Sequence, residues 1–261
     1  MTQTRSPGGI LLAATLLAAV TTASVPTARA APEEIQVYLD DLTTPGRFGL
    51  DVHNNLAVAG IKAAEYPGAR PAEHAYRLTP ELYYGLATGL ELGAYALTTR
   101  DGQGELHFDG AKLRLKYIAT HDEKQGPFWG VNFEVGKSDL AVAEHAWNYE
   151  LKGIYGRRIG AWVLACNVNL DAALSTHGGP ATLGVSTKVA RKAGRQTQLG
   201  LESYNELGPL RSAGSLGDQS QMLYAVVDNA FDNHELSIGI GRGLSHGSDP
   251  WVLKAVIGFH F

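Results

Sequence analysis

A single cysteine, Cys166, stands among the 261 residues, which excludes an internal disulfide and any cysteine-based metal cluster. After the first thirty residues no stretch approaches the ~18 consecutive apolar residues of a helical span. Mean hydropathy is slightly negative at −0.10, so if the chain enters a membrane it does not do so as helices. Charged residues are only 18% of the chain, and no polybasic segment is present to hold it on a membrane surface. Zinc-protease, phosphate-loop, dinucleotide and calcium-loop motifs are also missing, and the nine histidines show no metal-ligand spacing. No cofactor and no metal are therefore expected.

The start of the chain reads as an export signal, with Arg5 as the positive start, Ile10 to Val25 as the apolar stretch and Ala28-Arg29-Ala30 as the small-x-small cleavage site. Removing Arg5 and Arg29 from the 22 basic residues leaves 20 against 26 acidic ones, a formal charge of −6. Nucleic acid is an unsuitable partner for such a surface. Residues 31–46 follow, with a short extended run at Ile35 to Leu39 that Pro45-Gly46 breaks. This stretch could be a periplasmic leader, a small plug or an extra strand. The leader is the expectation, because long connections without structure of their own are usually functional or disordered.

From residue 47 to the end, strand-like segments and turn signals alternate at a spacing of about 18 residues, as a membrane strand of ~9–11 residues plus its connection requires. The expected strands are Phe48–Val58, Tyr76–Leu86, Leu90–Thr99, Glu105–Ala119, Phe128–Val135, Ala146–Ile154, Ala161–Leu170, Ala181–Val189, Thr197–Asn205, Gln221–Asn229, Glu235–Leu244 and Trp251–Phe261. An even count returns both ends of a barrel to the same side. The connections sort by length: Gly60 to His74 and Leu207 to Ser220 are among those of one rim, and Ala87-Thr88-Gly89 and Gly156-Arg157-Arg158 among those of the other. The expected fold is all-β, a closed antiparallel transmembrane barrel of about twelve strands with an apolar exterior and a polar lumen. Gly at 31 of 261 residues suits such a wall.

Alternation gives the faces. Along Phe48, Leu50, Val52, Leu56 and Val58 the residues are apolar, while Asp51 and His53 lie on the opposite face. The inward set continues with Arg77, Glu81 and Glu91, then the basic ladder Lys112-x-Arg114-x-Lys116, then Glu134, Glu150 and Lys152, and ends with Lys188, Glu202, Lys254 and His260. Strands bearing Glu91 and Glu134 flank the ladder, so cross-strand ion pairs are expected. Pro80, in mid-strand, removes a ladder donor and suggests a bulge. Cys166 shares the apolar face of Trp162, Leu164 and Val168. Trp129, Trp147, Trp162 and Trp251, with Tyr76, Tyr84 and Tyr117, suit aromatic girdles at two interfaces. Ionic groups on so many inner faces argue against a soluble sandwich, whose core would be apolar.

The last strand carries Trp251, Leu253, Ala255, Ile257, Phe259 and Phe261 on one face and ends the chain on an aromatic. This stretch resembles the C-terminal signature of Gram-negative outer-membrane β-barrel proteins. The resemblance implies that Trp251, Leu253, Ile257, Phe259 and Phe261 form the signal read by the barrel-assembly machinery, that outer-membrane lipid surrounds the chain, and that export precedes insertion. The expected function is a passive, porin-like channel for small polar or anionic solutes, with the basic ladder setting a transverse field. Two alternatives are carried. One is a lipid hydrolase, for which His246-Gly247-Ser248 is the nearest Ser/His match and Ser175-Thr176-His177 a weaker one; both lie in loops, so no catalytic residue is assigned. The other is a structural or adhesive barrel that uses loops Gly60 to His74 and Leu207 to Ser220.

Overall fold

The computed structural model describes residues 34–175, 178–210 and 217–261. The export signal over residues 1–30, together with Thr176 and His177, lies outside these residues. Twelve strands follow one another: β1 Phe48–Ala59, β2 Tyr76–Ala87, β3 Leu90–Arg100, β4 Leu106–Ile118, β5 Gly126–Ser138, β6 Trp147–Ile159, β7 Trp162–Ala173, β8 Thr182–Lys192, β9 Thr197–Pro209, β10 Gln221–Ala230, β11 His234–Gly243 and β12 Trp251–His260. Each pairs antiparallel with its sequence neighbours, and β12 pairs with β1 to close the barrel. The seam runs from Ala59 opposite Trp251 to Gly49 opposite His260, and the Phe261 N–H then donates to the Phe48 carbonyl at 2.9 Å. No strand edge is left among the described residues, so no open margin of backbone donors and acceptors remains.

Side chains sort by parity in the way the period-two pattern predicts. All four tryptophans point away from the lumen and are 42–53% exposed, which in a soluble protein would be an untenable surface. Tyr117 packs edge-on to Trp129 at one rim, and the Arg242 guanidinium lies 4.9 Å over the Trp251 ring at the other, the amphipathic arrangement of an interfacial girdle. Two local expectations change. Pro80 makes no bulge: Leu78 opposite Thr98 and Glu81 opposite Tyr95 keep one register across it, and the β2 irregularity falls between Gly85 and Ala87. Pro80 also stays opposite Val52, so its missing donor is absorbed without shifting the strand. Gly156, Arg157 and Arg158, read as a turn, belong to β6. The strand runs on to Ile159, with Gly160 at a positive φ of 58° in the turn, because Arg158 has an inward partner described below.

The segment expected as a periplasmic leader lies inside the barrel. Ile35, Val37 and Tyr38 are buried. Val37 and Tyr38 pack with Ile118, Phe128, Ile154, Val163, Ala165 and Ala190, the inward residues at the short-turn ends of β4 to β8. Ile35 packs with Met222, Tyr224, Val226 and Val252. The lumen is thus polar in part and apolar where this segment sits, each buried aliphatic side chain contributing about 1.5–3 kcal/mol.

Candidate functional site: the lumen and its inserted segment

The inserted segment is held by the wall through its backbone. Asn167 of β7 accepts the Tyr38 N–H at 2.7 Å and donates to the Tyr38 carbonyl at 3.0 Å, closing both hydrogen bonds of one peptide position. Lys254 donates to the Ile35 carbonyl at 3.0 Å and Lys116 to the Asp41 carbonyl at 2.8 Å, while the Thr43 N–H donates to Glu91 at 2.7 Å. Near the rim, Gly46 N–H donates to the Gly85 carbonyl, and Gly85 N–H to the Arg47 carbonyl. Glycine is required there, because a Cβ at Gly85 would lie 2.4 Å from the Thr44 carbonyl oxygen.

Tyr38 is the centre of the assembly. Its hydroxyl lies 2.9 Å from that of Tyr95 and donates to Glu134 at 3.3 Å. Lys152, Lys116 and Arg114 approach its ring at 4.1, 4.8 and 5.7 Å, so three inward cations share one aromatic face and edge. Asp40 makes the latch at the short-turn rim, pairing with both Arg158 of β6 and His121 of the β4–β5 connection. Burial alone would raise the Asp40 carboxyl, but the hydrogen bonds from Arg158 and His121 hold it below its ordinary range. Burial disfavours charge on His121, yet its two ring nitrogens face the Ala119 carbonyl and Asp40, each at 2.8 Å. Only the imidazolium can donate to both, so the ring titrates above its ordinary value.

The expected lumen residues fall into groups. Arg114 of β4 crosses over Gly93 of β3 to reach Glu81 of β2 at 2.5 Å, and also pairs with Glu91 at 2.7 Å. A Cβ at Gly93 would sit 2.6 Å from Glu81 and 2.8 Å from the Arg114 side chain, so the pair depends on that glycine. His53 lies 3.6 Å from Glu81, and Asp51 accepts from the Tyr83 hydroxyl at 3.0 Å. Across the lumen, Glu202 pairs with both Lys188 and Lys254, and Lys188 also pairs with Asp228 at 2.8 Å. Lys152 pairs with Glu150 at 3.0 Å near Glu134. His260 sits at the rim, 45% exposed and 3.7 Å from Glu235, apart from all of these. The ladder is therefore not a continuous positive strip: Arg114 is consumed by carboxylates and Lys116 by a carbonyl, while Lys112 faces a separate cavity.

That cavity has a volume of about 430 Å³ and lies toward the long-loop rim, with Glu34, Ile35 and Gln36 of the inserted segment in its lining. Nine carboxylates, among them Asp109, Glu134, Glu150, Asp171 and Asp249, line it against Arg77, Lys112, Lys152 and His145. Loop 60–75 is tied beside it, through Arg70 to Asp109 at 2.8 Å and the Ile61 N–H to Asp249 at 2.8 Å. Asn167, Tyr38, Glu34, Asp40 and Arg158 were not singled out from sequence as site residues. Asn167 carried the one available signal, as a polar residue on the inward face of β7. The His246/Ser248 pair is not assembled: Ser248 Oγ accepts from the Gln221 N–H at 2.7 Å, donates to the Gln221 carbonyl at 2.9 Å and contacts Ser245 Oγ at 2.6 Å, which makes it a loop staple.

Among solved structures the chain is similar to an outer membrane channel from Pseudomonas putida F1, with a TM-score of 0.60 at 12% identity over 87% of this chain and 100% of that one. It is also similar to the KdgM porin, with a TM-score of 0.56 at 8% identity over 82% of this chain and 99% of that one. The same porin in complex with disordered oligogalacturonate gives a TM-score of 0.55. The chain is an outer-membrane-type β-barrel. No family model and no curated protein matches this barrel. At such identities the likeness is one of fold, and the lumen residues of the barrel have to be read from its own geometry.

Proposed function

We propose that the chain is a passive channel of the bacterial outer membrane for small polar or anionic solutes, constricted by its own residues 34–46. The observation that carries this reading is the inserted segment. It fills a lumen lined by ionic groups yet is bound to the wall by side chains and one isolated bridge, Pro45 to Gly85, and does not join the barrel as a strand. Its withdrawal would leave the wall closed and uncover Lys116 and Lys152, with Arg114 still held by Glu81 and Glu91, beneath a mouth lined mainly by carboxylates. An anionic solute would then meet Lys116 and Lys152 within the lumen, where an enclosed field acts most strongly. Export by residues 1–30, lipid around the apolar belt, and capture of the Trp251 to Phe261 strand by the assembly machinery belong to the same proposal.

Single-channel recording of the full exported chain in planar bilayers tests it. Stepwise openings are expected, and changing Lys116 and Lys152 to Gln should shift the reversal potential toward cations. Silence from protein that is shown to be folded, both in this form and without residues 34–46, would overturn the channel reading.

A further inference from the structure

Between the inserted segment and the wall, three ligand-type side chains from three separate parts of the chain converge. Glu34 comes from the segment, His53 from β1 and Glu81 from β2, and one donor atom of each lies within 4.8 Å of the others. His53 and Glu81 are diagonal neighbours on the inner face, since His53 stands opposite Thr79 and Glu81 opposite Asp51. Sequence spacing could not show this, because strand pairing and insertion create the cluster.

The His53 ring is 0% exposed, yet neither Nδ1 nor Nε2 makes a hydrogen bond; Glu34 Oε1 and Thr79 Oγ1 are buried without a partner in the same way. Orphaned buried polar atoms are rare, and several meeting at one place call for an occupant. The Glu81 carboxylate is divided in a manner that suits one: Oε1 goes to Arg114 at 2.5 Å, while Oε2 faces His53 Nε2 at 3.6 Å. Two ligands bound at ~2.1 Å in a tetrahedral site lie about 3.4 Å apart, so this separation is close to what an ion would set. Charge agrees. Glu34, Asp51, Glu81 and Glu91 surround the site against Arg114 and Lys116, a formal excess of two negative charges before His53 is counted.

We propose that Glu34, His53 and Glu81 bind one first-row divalent cation of the zinc type. An imidazole beside two carboxylates favours such ions over Ca²⁺ and Mg²⁺, which prefer all-oxygen shells. Because Glu34 arrives on the inserted segment, the site exists only while that segment is docked, and the ion ties it to the wall. In this respect the proposal rests on the plugged-channel reading, but binding and conductance are measured separately, so each can fail alone.

The test is isothermal titration of Zn²⁺ into the full exported barrel, purified in detergent with chelator removed, its folding verified by heat-dependent electrophoretic mobility. One equivalent should bind, unaffected by excess Mg²⁺, and affinity should fall at least about tenfold in His53→Gln and in Glu34→Gln, ligand losses being no milder than the loss of an outer-shell partner. Glu34→Gln lies outside the wall and serves if the His53 variant fails to fold. His107→Gln should keep the binding, which separates the lumen from the Asp101, Glu105 and His107 cluster at the β3–β4 connection and the start of β4. Folded protein that takes up no Zn²⁺, or equal binding by wild type, His53→Gln and Glu34→Gln, would overturn the site and leave water as the bridging group. Zn²⁺ binding without any effect on conductance would leave the site standing and count against the plug.

Discussion

The wall and the inserted segment are held by different means. Every strand of the wall is paired on both sides in a closed ring, so opening any seam would leave a row of backbone donors and acceptors without partners. Residues 34–46 have no such ladder. Their backbone is met group by group by Asn167, Lys254, Lys116 and Glu91, and their apolar side chains by the two inward clusters. Removing one wall strand destroys the barrel, whereas undocking the segment costs only separable contacts. The proposed channel would draw on that difference, a fixed wall and a segment held by contacts that can be broken singly.

The comparison breaks most completely at the seam. Deleting Phe261 removes the last donor across the β1–β12 junction and the terminal aromatic, and the yield of heat-modifiable barrel in outer membranes should collapse; normal yield would refute the terminal-strand reading. Next in size, deleting residues 34–46 should leave the barrel closed while conductance rises several-fold, as read by electrophoretic mobility and bilayer recording. A barrel that cannot fold without them would make the segment part of the wall after all. Smaller again is Asn167→Leu, which strips both hydrogen bonds from Tyr38 and strands its buried peptide groups. At about 1–1.5 kcal/mol for each bond, closed-state occupancy should shift by roughly 30- to 150-fold in open probability.

The smallest effect is that of pH on the latch. His121 titrates above its ordinary 6.5, so its contribution is complete below that value and is lost as pH rises through the raised one. Asp40 titrates below its ordinary 3.8, so its contribution is present above that value and is lost on acidification through the lowered one. Docking should therefore be firmest between about pH 4 and 6.5 and should weaken at alkaline pH by about fivefold in open probability, the equivalent of the ~1 kcal/mol of a part-exposed charged pair. An Arg158→Gln variant should show a larger fraction of this dependence, since His121 would then be the only cation on Asp40 among the described residues.

Much of the fold was legible in the sequence because period two is a property of single strands. The alternation of Trp162, Leu164, Cys166 and Val168 with Val163, Ala165 and Asn167 places each side chain without knowledge of its neighbours. What could not be read depends on pairs distant in the chain. Tyr38 and Asn167 are 129 residues apart, and Asp40 and Arg158 118. Nor was the apolar floor visible, since Ile118, Phe128, Ile154 and Val163 are apolar on the face that elsewhere carries charge, and only the segment they receive explains them. The basic ladder was visible as a run of charge, but its neutralisation was not, because Arg114 reaches past its neighbouring strand by way of Gly93.

Cys166 and Asn167 are consecutive on β7, and the pleat sends their side chains into two different phases. The sole thiol lies on the outer face of the wall, while the carboxamide beside it grips the docked peptide. A nitroxide or fluorophore attached to that thiol would therefore report on the surroundings of the wall from the residue next to the one that holds the docked segment, and wild-type protein needs no other cysteine removed to make the measurement.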